Sequence, residues 1–398
     1  LGVDRLELRR RNVLLPEDIP YDNGLGHTFD SGDFPEVLSR ALSLSQWENQ
    51  DARQDPLEGP LRGIGMCYWI APTGGPPKEY AGLGFSSDGA VTLTVGSQST
   101  GMSHETTLPQ LVSTWLGIPY ASVVYRQGDT SLTEFGGGHS GSRTLGMAGS
   151  AIRLVADRVI EKAKAIAAHL LEVAPADVRF ADGKMVVAGT DRKVTMTEVI
   201  QASFDRSRLP GGFDAKLDEE EIYERPWISY PNGCHVAEVE VDPETGVVTL
   251  VAYYAVEDSG PVVNPMTAEG QVMGGVAQGV GQAVTEFVVH GQVDGQLLTG
   301  SLMDYCLPRA DDLPDMQVRF FEDAPTTNNL LGIKGVGEAG CVGAPPAVVN
   351  AVLDAVRPFG VHHLDMPLTP EKLWRAMRAV ELPMPARSGP STDVQVAQ

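Results

Sequence analysis

The chain has 398 residues and a formal net charge of −22 at pH 7, enough for two or three domains, or one composite unit, at roughly 150 residues per domain. That charge argues against nucleic acid and anionic membrane surfaces as partners, since both would repel it. No apolar run reaches the ~20 residues of a membrane helix and no charged-then-apolar leader opens the chain, so the expectation is a cytoplasmic protein.

In chain order, residues 1–12 start without methionine and already in helical register, which reads as a chain entered midway, through fragmentation or processing. Pro16, Pro20, a Gly-rich loop and a helical stretch over 34–44 make residues 1–60 a connector. The main body is expected to span 61–380. A Ser86-Ser87-Asp88-Gly89 turn leads into an alternating strand at 90–95, and Leu108, Leu111, Val112 and Trp115 predict a helix over 107–116 that ends at Gly117. The clearest helix covers 146–173, where Ile152, Val155, Val159, Ile160, Ala163, Ile166 and Leu170 form an apolar stripe against charged residues. Short strands follow within 178–196. Residues 236–241 and 247–256, joined by Asp242-Pro243-Glu244-Thr245-Gly246, predict a hairpin. A helix is expected over 346–356, and a disordered tail over 381–398. Helices and strands come in groups, so the fold class is α+β.

Near the C-terminal end, Gly332-Ile333-Lys334-Gly335-Val336-Gly337-Glu338-Ala339-Gly340 encloses one carboxylate in glycines. No neighbouring Cβ blocks approach to Glu338, which suits a general base, although a carboxylate there would also serve as a helix cap. Gly335, Gly337 and Gly340 also spell G-x-G-x-x-G, but no hydrophobic strand precedes them and too little chain follows for a dinucleotide-binding domain. Residues 134–144, Glu-Phe-Gly-Gly-Gly-His-Ser-Gly-Ser-Arg-Thr, have the composition of an anion cradle ahead of a helix. Glycine N–H groups, hydroxyls and a bidentate Arg143 would grip phosphate, the alternative being a plain flexible loop. Residues 96–107 repeat the layout, and their His104-Glu105 pair lacks a third metal ligand. A glycine-dense helical pattern over 268–282 implies close approach, with Gln271 and Gln278 on one face either offering amides to a ligand or capping neighbouring helices. Cys67, Cys234, Cys306 and Cys341 are far apart, form no C-x-x-C and read as buried thiols.

Together these residues resemble the molybdenum-binding large subunit of the xanthine dehydrogenase family, the molybdenum hydroxylases that include aldehyde oxidoreductases and aerobic carbon monoxide dehydrogenases. The resemblance covers nearly the whole chain and rests on four ordered blocks: 7–12, 136–143, Asn264-Pro265 with Gly270-Gln271 and Gln278-Gly279, and 335–338. It implies that 61–380 is the second, C-terminal molybdopterin-binding domain and that 1–60 ends the first molybdopterin-binding region. It further implies a molybdopterin cofactor, in bacteria often a cytosine dinucleotide, whose pterin and not the protein holds the molybdenum. Carried over by position, Gln98, Gly101, Thr106, Gly137, Gly138, Ser140, Ser142, Arg143, Thr144, Gln271, Gln278 and Gly337 bind the cofactor and Tyr68 lines the substrate pocket. Glu338 becomes the general base in hydroxylation of an aldehyde or N-heterocycle with water-derived oxygen. Partners implied are an iron–sulfur ([2Fe-2S]) subunit, an FAD subunit and a missing N-terminal half of the large subunit, in a dimer of heterotrimers. One departure is Gly101-Met102-Ser103, where the family has Gly-Gln-Gly, which replaces an amide with a thioether. Competing readings are a non-catalytic half-subunit needing a separate N-terminal chain, an aerobic carbon monoxide dehydrogenase portion, and a nicotinamide oxidoreductase using 335–340.

Overall fold

Period-two hydrophobic strands and 3.6-period helices sort this chain into two sheet-and-helix layers, seen in a computed structural model that describes residues 2–49, 59–209, 213 and 216–379. The tail expected over 381–398 lies outside the described residues. In order, the elements are α1 (Arg5–Arg10), β1 (Tyr21–Asp22), β2 (Thr28–Phe29), α2 (Phe34–Leu44), β3 (Leu61–Ile70), β4 (Lys78–Phe85), β5 (Val91–Val95), α3 (His104–Leu116), β6 (Val123–Gln127) and α4 (Thr144–Leu170). They continue with β7 (Val178–Ala181), β8 (Lys184–Val187), β9 (Lys193–Thr195), α5 (Met196–Ser203), β10 (Glu219–Glu224), β11 (Asn232–Val241), β12 (Val248–Asp258), α6 (Pro265–Val280), β13 (Met316–Phe320), α7 (Ala339–Ala355) and α8 (Pro370–Ala379).

The first layer is a four-stranded sheet in the order β10-β4-β5-β6, antiparallel except for the parallel β5–β6 pair. Alternation in β5 turns Val91, Leu93 and Val95 inward, where they join Leu108 and Val112 of α3 and the Ile152, Val155 and Val159 stripe of α4 in one core. A separate antiparallel β7-β8-β9 sheet adds Val178 and Met185 to that core.

The second layer is a four-stranded sheet in the order β13-β12-β11-β3. Its centre is the expected hairpin, with Val241 opposite Val248 and the turn closed by Gly246 N–H donating to the Asp242 carbonyl at 2.7 Å. Both faces are covered. Trp69, Ala237, Val239 and Tyr253 pack against α6 and α7, while Ile64, Met66, Tyr68, Cys234 and Val236 pack against α1 and α2. The connector region therefore contributes a core layer: Leu6, Val37 and Leu38 are buried there, and Arg5 pairs with Asp354 of α7 at 3.1 Å.

Helix α7 starts at Ala339, seven residues before the expected start at 346, and carries Pro345 and Pro346 inside it. The prolines remove the N–H groups that would bond to the Cys341 and Val342 carbonyls, which is why the sequence reads as a later start. Close packing offsets the loss. A Cβ on Gly65 would lie 2.2 Å from Ala351 N and one on Gly340 would lie 2.2 Å from the Val272 carbonyl, so α7 rests directly on β3 and α6 backbone. That seat fixes where the first turn of α7 begins.

Candidate functional site

The N-termini of four helices converge on one cleft of about 370 Å³ between the two layers. His104 and Thr107 come from the start of α3, Ser140, Ser142 and Thr144 from the approach to α4, Asn264, Thr267 and Gln271 from α6, and residues 334–338 from the approach to α7. Three of these helices, α3, α4 and α7, have no side-chain cap on their first N–H groups. Only α6 is capped, by Asn264 accepting from Thr267 N–H at 3.2 Å. Each free N-terminus carries the equivalent of about half a positive charge, so the convergence makes the cleft electropositive although the chain is strongly acidic. Among the described lining residues Glu338 is the sole carboxylate.

Glu338 occupies the N-cap position of α7 but its side chain does not cap that helix. It is exposed to the cleft and accepts from Ser142 Oγ at 2.8 Å, while its own N–H lies 3.1 Å from the same hydroxyl. Ser142 holds a left-handed conformation with φ of +57°, reached because Gly141, also at positive φ, precedes it. The two glycine segments meet at this point: a Cβ on Gly335 would lie 2.7 Å from Ser142 Cβ. Below them Lys334 is fully buried and donates to Asp258 Oδ2 at 2.6 Å, and Asn232 bonds the same oxygen at 3.0 Å. Burial lowers the Lys334 pKa and raises that of Asp258, while each partner opposes the shift of the other.

Arg143 has a different task from the phosphate grip expected of it. Its guanidinium is fully buried, pairs with equally buried Glu79 at 2.8 Å, and donates to the Gly138 carbonyl at 2.6 Å and to the Lys78 carbonyl. Glu79 also accepts from Gly137 N–H at 3.2 Å and from Ser97 Oγ. Gly137, Gly138 and Arg143 are thus spent on anchoring the loop, and none lines the cleft. A Cβ on Gly137 would fall 2.4 Å from Arg143 Nη1, and one on Gly96 would lie 2.1 Å from the Phe135 carbonyl. The two donor-rich loops cross with no room for side chains.

Of the other expected contacts, Ser140, Ser142, Thr144, Gln271, Gly337 and Glu338 line the cleft, whereas Gln98, Gly101, Thr106 and Gln278 do not. Gln98 and Gly101 are exposed on the loop before α3, and Gln278 is exposed two helical turns beyond Gln271. Tyr68 is a clearer correction. It lies on the α2 side of β3, its hydroxyl donating to the Phe34 carbonyl at 2.6 Å, and so faces away from the cleft. We expect Tyr68→Phe to cost about 1 kcal/mol of stability in chemical denaturation and to leave substrate KM unchanged, as befits a lost structural hydrogen bond. A shifted KM with intact stability would restore Tyr68 to the substrate pocket.

Thr267 and Lys334 join the cleft without having been assigned there, and His104, Thr107 and His139, which belong to the two donor-rich loops, line it as well. Burial pulls the His104 pKa down to about 4, Glu105 opposing and His139 adding, so the ring is neutral at pH 7. The sequence signal for these residues was position: each stands in the first turn of a helix or in the loop leading to one.

Residues 40–314 match the family model described as a molybdopterin cofactor-binding domain. The chain is 34% identical over 396 residues to the nicotine 6-hydroxylase large subunit of Paenarthrobacter nicotinovorans, an alignment covering 96% of this chain and 48% of that one. It is 34% identical over 400 residues to the carbon monoxide dehydrogenase large chain of Hydrogenophaga pseudoflava, covering 95% and 49% respectively. Among solved structures, quinoline 2-oxidoreductase from Pseudomonas putida 86 superposes with a TM-score of 0.88 at 36% identity, covering 95% of this chain and 50% of that one. The chain spans about half the length of the relatives it matches.

Proposed function

From the premise that the chain belongs to the xanthine dehydrogenase family of molybdenum hydroxylase large subunits, we propose that its cleft is the second molybdopterin-binding half of an oxidoreductase active site. The observation that carries this reading is the convergence of four helix N-termini on a cleft whose wall holds one carboxylate. The cleft's own atoms support the fit. Thr144 Oγ1, His104 Nδ1 and His139 Nδ1 are sealed from water and have no partner in the chain, so a bound ligand rich in donors and acceptors would complete them. Ser140, Ser142, Thr144, His104, Thr267 and Gln271 would hold a phosphorylated pterin there, its negative charge favoured by the uncapped helix ends.

When bound, the molybdenum cofactor supplies the two-electron oxidant. The chain's own contribution is proton handling and orientation. Glu338, aimed by the Ser142 hydroxyl, takes a proton from the attacking oxygen, and the Ser142 bond keeps one carboxylate oxygen engaged while the other is available. The Lys334–Asp258 pair and the Arg143–Glu79 pair fix the two loops that carry this contact. Both pairs are dry, which makes the geometry stiff.

For substrate, the names of two similar proteins, nicotine 6-hydroxylase and quinoline 2-oxidoreductase, favour an N-heterocycle over an aldehyde. The carbon monoxide dehydrogenase similarity supports a second reading, and since a solved enzyme of that name is a Cu,Mo protein, copper analysis of the purified protein separates the two. Turnover requires the remaining half of a family-length large subunit, with an iron–sulfur subunit and an FAD subunit to carry electrons onward. The cofactor is read as the cytosine dinucleotide form. Acid hydrolysis of purified protein should then release CMP in proportion to molybdenum; molybdenum without CMP would assign the unextended pterin.

A further inference from the structure

Helix α6 runs from the cleft into a stretch of chain with no buried residue. Its first turns carry Thr267, Ala268 and Gln271 into the cleft wall, and Met266, Gly270, Gly274 and Gln278, spaced one turn apart, form an exposed stripe along it. A Cβ on Gly270 or Gly274 would meet nothing within 4 Å, so no described neighbour calls for these glycines, which are poor helix formers. What they permit is close approach by another backbone. After about 24 Å, at 1.5 Å per residue, α6 passes through a turn at Gly281–Thr285 into an arm over 286–312, none of whose residues is buried. The arm is ordered by its own hydrogen bonds: Leu298 N–H donates to the Val289 carbonyl and Gly291 N–H to the Gln296 carbonyl, each at 2.8 Å. It nevertheless holds Phe287, Val288, Leu298, Leu302 and Met303 in the open, Leu302 at 77% and Met303 at 92% exposure. Between 287 and 303 the only Asp, Glu, Lys or Arg is Asp294, in a chain that is 21% charged. An ordered apolar surface so depleted of charge marks an interaction face.

We propose that the α6 stripe and the arm form one docking face for the remaining half of a family-length large subunit. The proposal rests on reading the cleft as half of a cofactor site, because the half that completes the cleft must reach the start of α6, where the stripe begins. The matched part of the relatives is 48–50% of each, so the rest of such a subunit is as large as this chain and can cover the whole face. A second copy of the chain is a poorer occupant, since it would bring together two net charges of −22. Backbone of the docked half lies along Gly270 and Gly274, and its apolar side chains cover Leu302 and Met303.

Photo-cross-linking in the assembly purified from its native host tests the face, with Leu302 replaced by benzoylphenylalanine. Cross-linked peptides should come from the half of the relatives' sequence that this chain lacks. With that half coexpressed as its own polypeptide, Gly274→Gln and Leu302→Asp should each lower the amount retained in gel filtration by about tenfold, as expected for central interface positions. A Cβ at 274 meets open space and Leu302 is exposed, so both variants should keep wild-type helical circular dichroism. Cross-links to a second copy, to residues 380–398 or to an electron-transfer subunit would overturn the proposal, as would variants that retain the half at wild-type levels. Molybdenum analysis of the same preparation separates the two claims. Molybdenum-free protein cross-linked to that half keeps the docking face and removes the cofactor reading; stoichiometric molybdenum with cross-links elsewhere does the reverse.

Discussion

Replacing Glu338 by Gln is expected to lower turnover of the assembled enzyme by about 10²- to 10⁴-fold, the range associated with removing a general base, with molybdenum content and Tm close to wild type. The separation of these readouts follows from the local structure. Glu338 is exposed and its side chain bonds only Ser142 Oγ, a contact that an amide oxygen retains. Gln therefore keeps the shape and the hydrogen bond but cannot accept a proton. Single-turnover reduction of the enzyme by substrate measures the chemical step without interference from electron exit. A near-normal rate would remove Glu338 from the role of base; a lost rate accompanied by lost molybdenum would make it a structural contact.

The second large effect is expected at a residue that does not line the cleft. Glu79→Ala leaves the Arg143 guanidinium buried without a counter-charge, and such a broken pair costs about 3–5 kcal/mol. The same change releases Gly137 N–H and Ser97 Oγ, so the loop over 136–142 loses its anchor and cofactor occupancy should fall with stability. Equilibrium denaturation gives the first quantity and molybdenum analysis the second. A double variant, Glu79→Met with Arg143→Met, should be destabilised by less than the sum of the single changes, since neither charge is then stranded. A Glu79→Ala cost below about 1 kcal/mol would mean that the pair contributes no more than an exposed ion pair does.

Glu79 also shows where sequence reading ran out. Nothing in Lys78-Glu79-Tyr80 marks a partner for a residue 64 positions later, so Arg143 read as a free phosphate ligand. The α4 stripe and the β11–β12 hairpin were legible because their periodicity is local, and two glycines of α6 did mark close helix contact: a Cβ on Gly275 would meet Gly340 at 3.0 Å and one on Gly279 would meet Ala344 at 2.7 Å, whereas Gly270 and Gly274 face open space. No strand was expected over 61–70, so the sequence did not show which face Tyr68 takes, and helices cover both faces of β3. The loops entering α3 and α4 were visible as repeated layouts, whereas the starts of α6 and α7 joined them only through tertiary packing. For the G-x-G-x-x-G pattern, the nearest preceding strand, β13, ends at Phe320, fifteen residues before Gly335, so no strand feeds the glycines as a dinucleotide fold requires.

The most direct test of the central claim is the molybdenum content of the chain purified together with its partner polypeptides from cells grown with ample molybdate. The cleft described here predicts stoichiometric molybdenum that is lost when the Arg143–Glu79 anchor is broken. Molybdenum-free protein, with the other half of a family-length subunit present and bound, would contradict it.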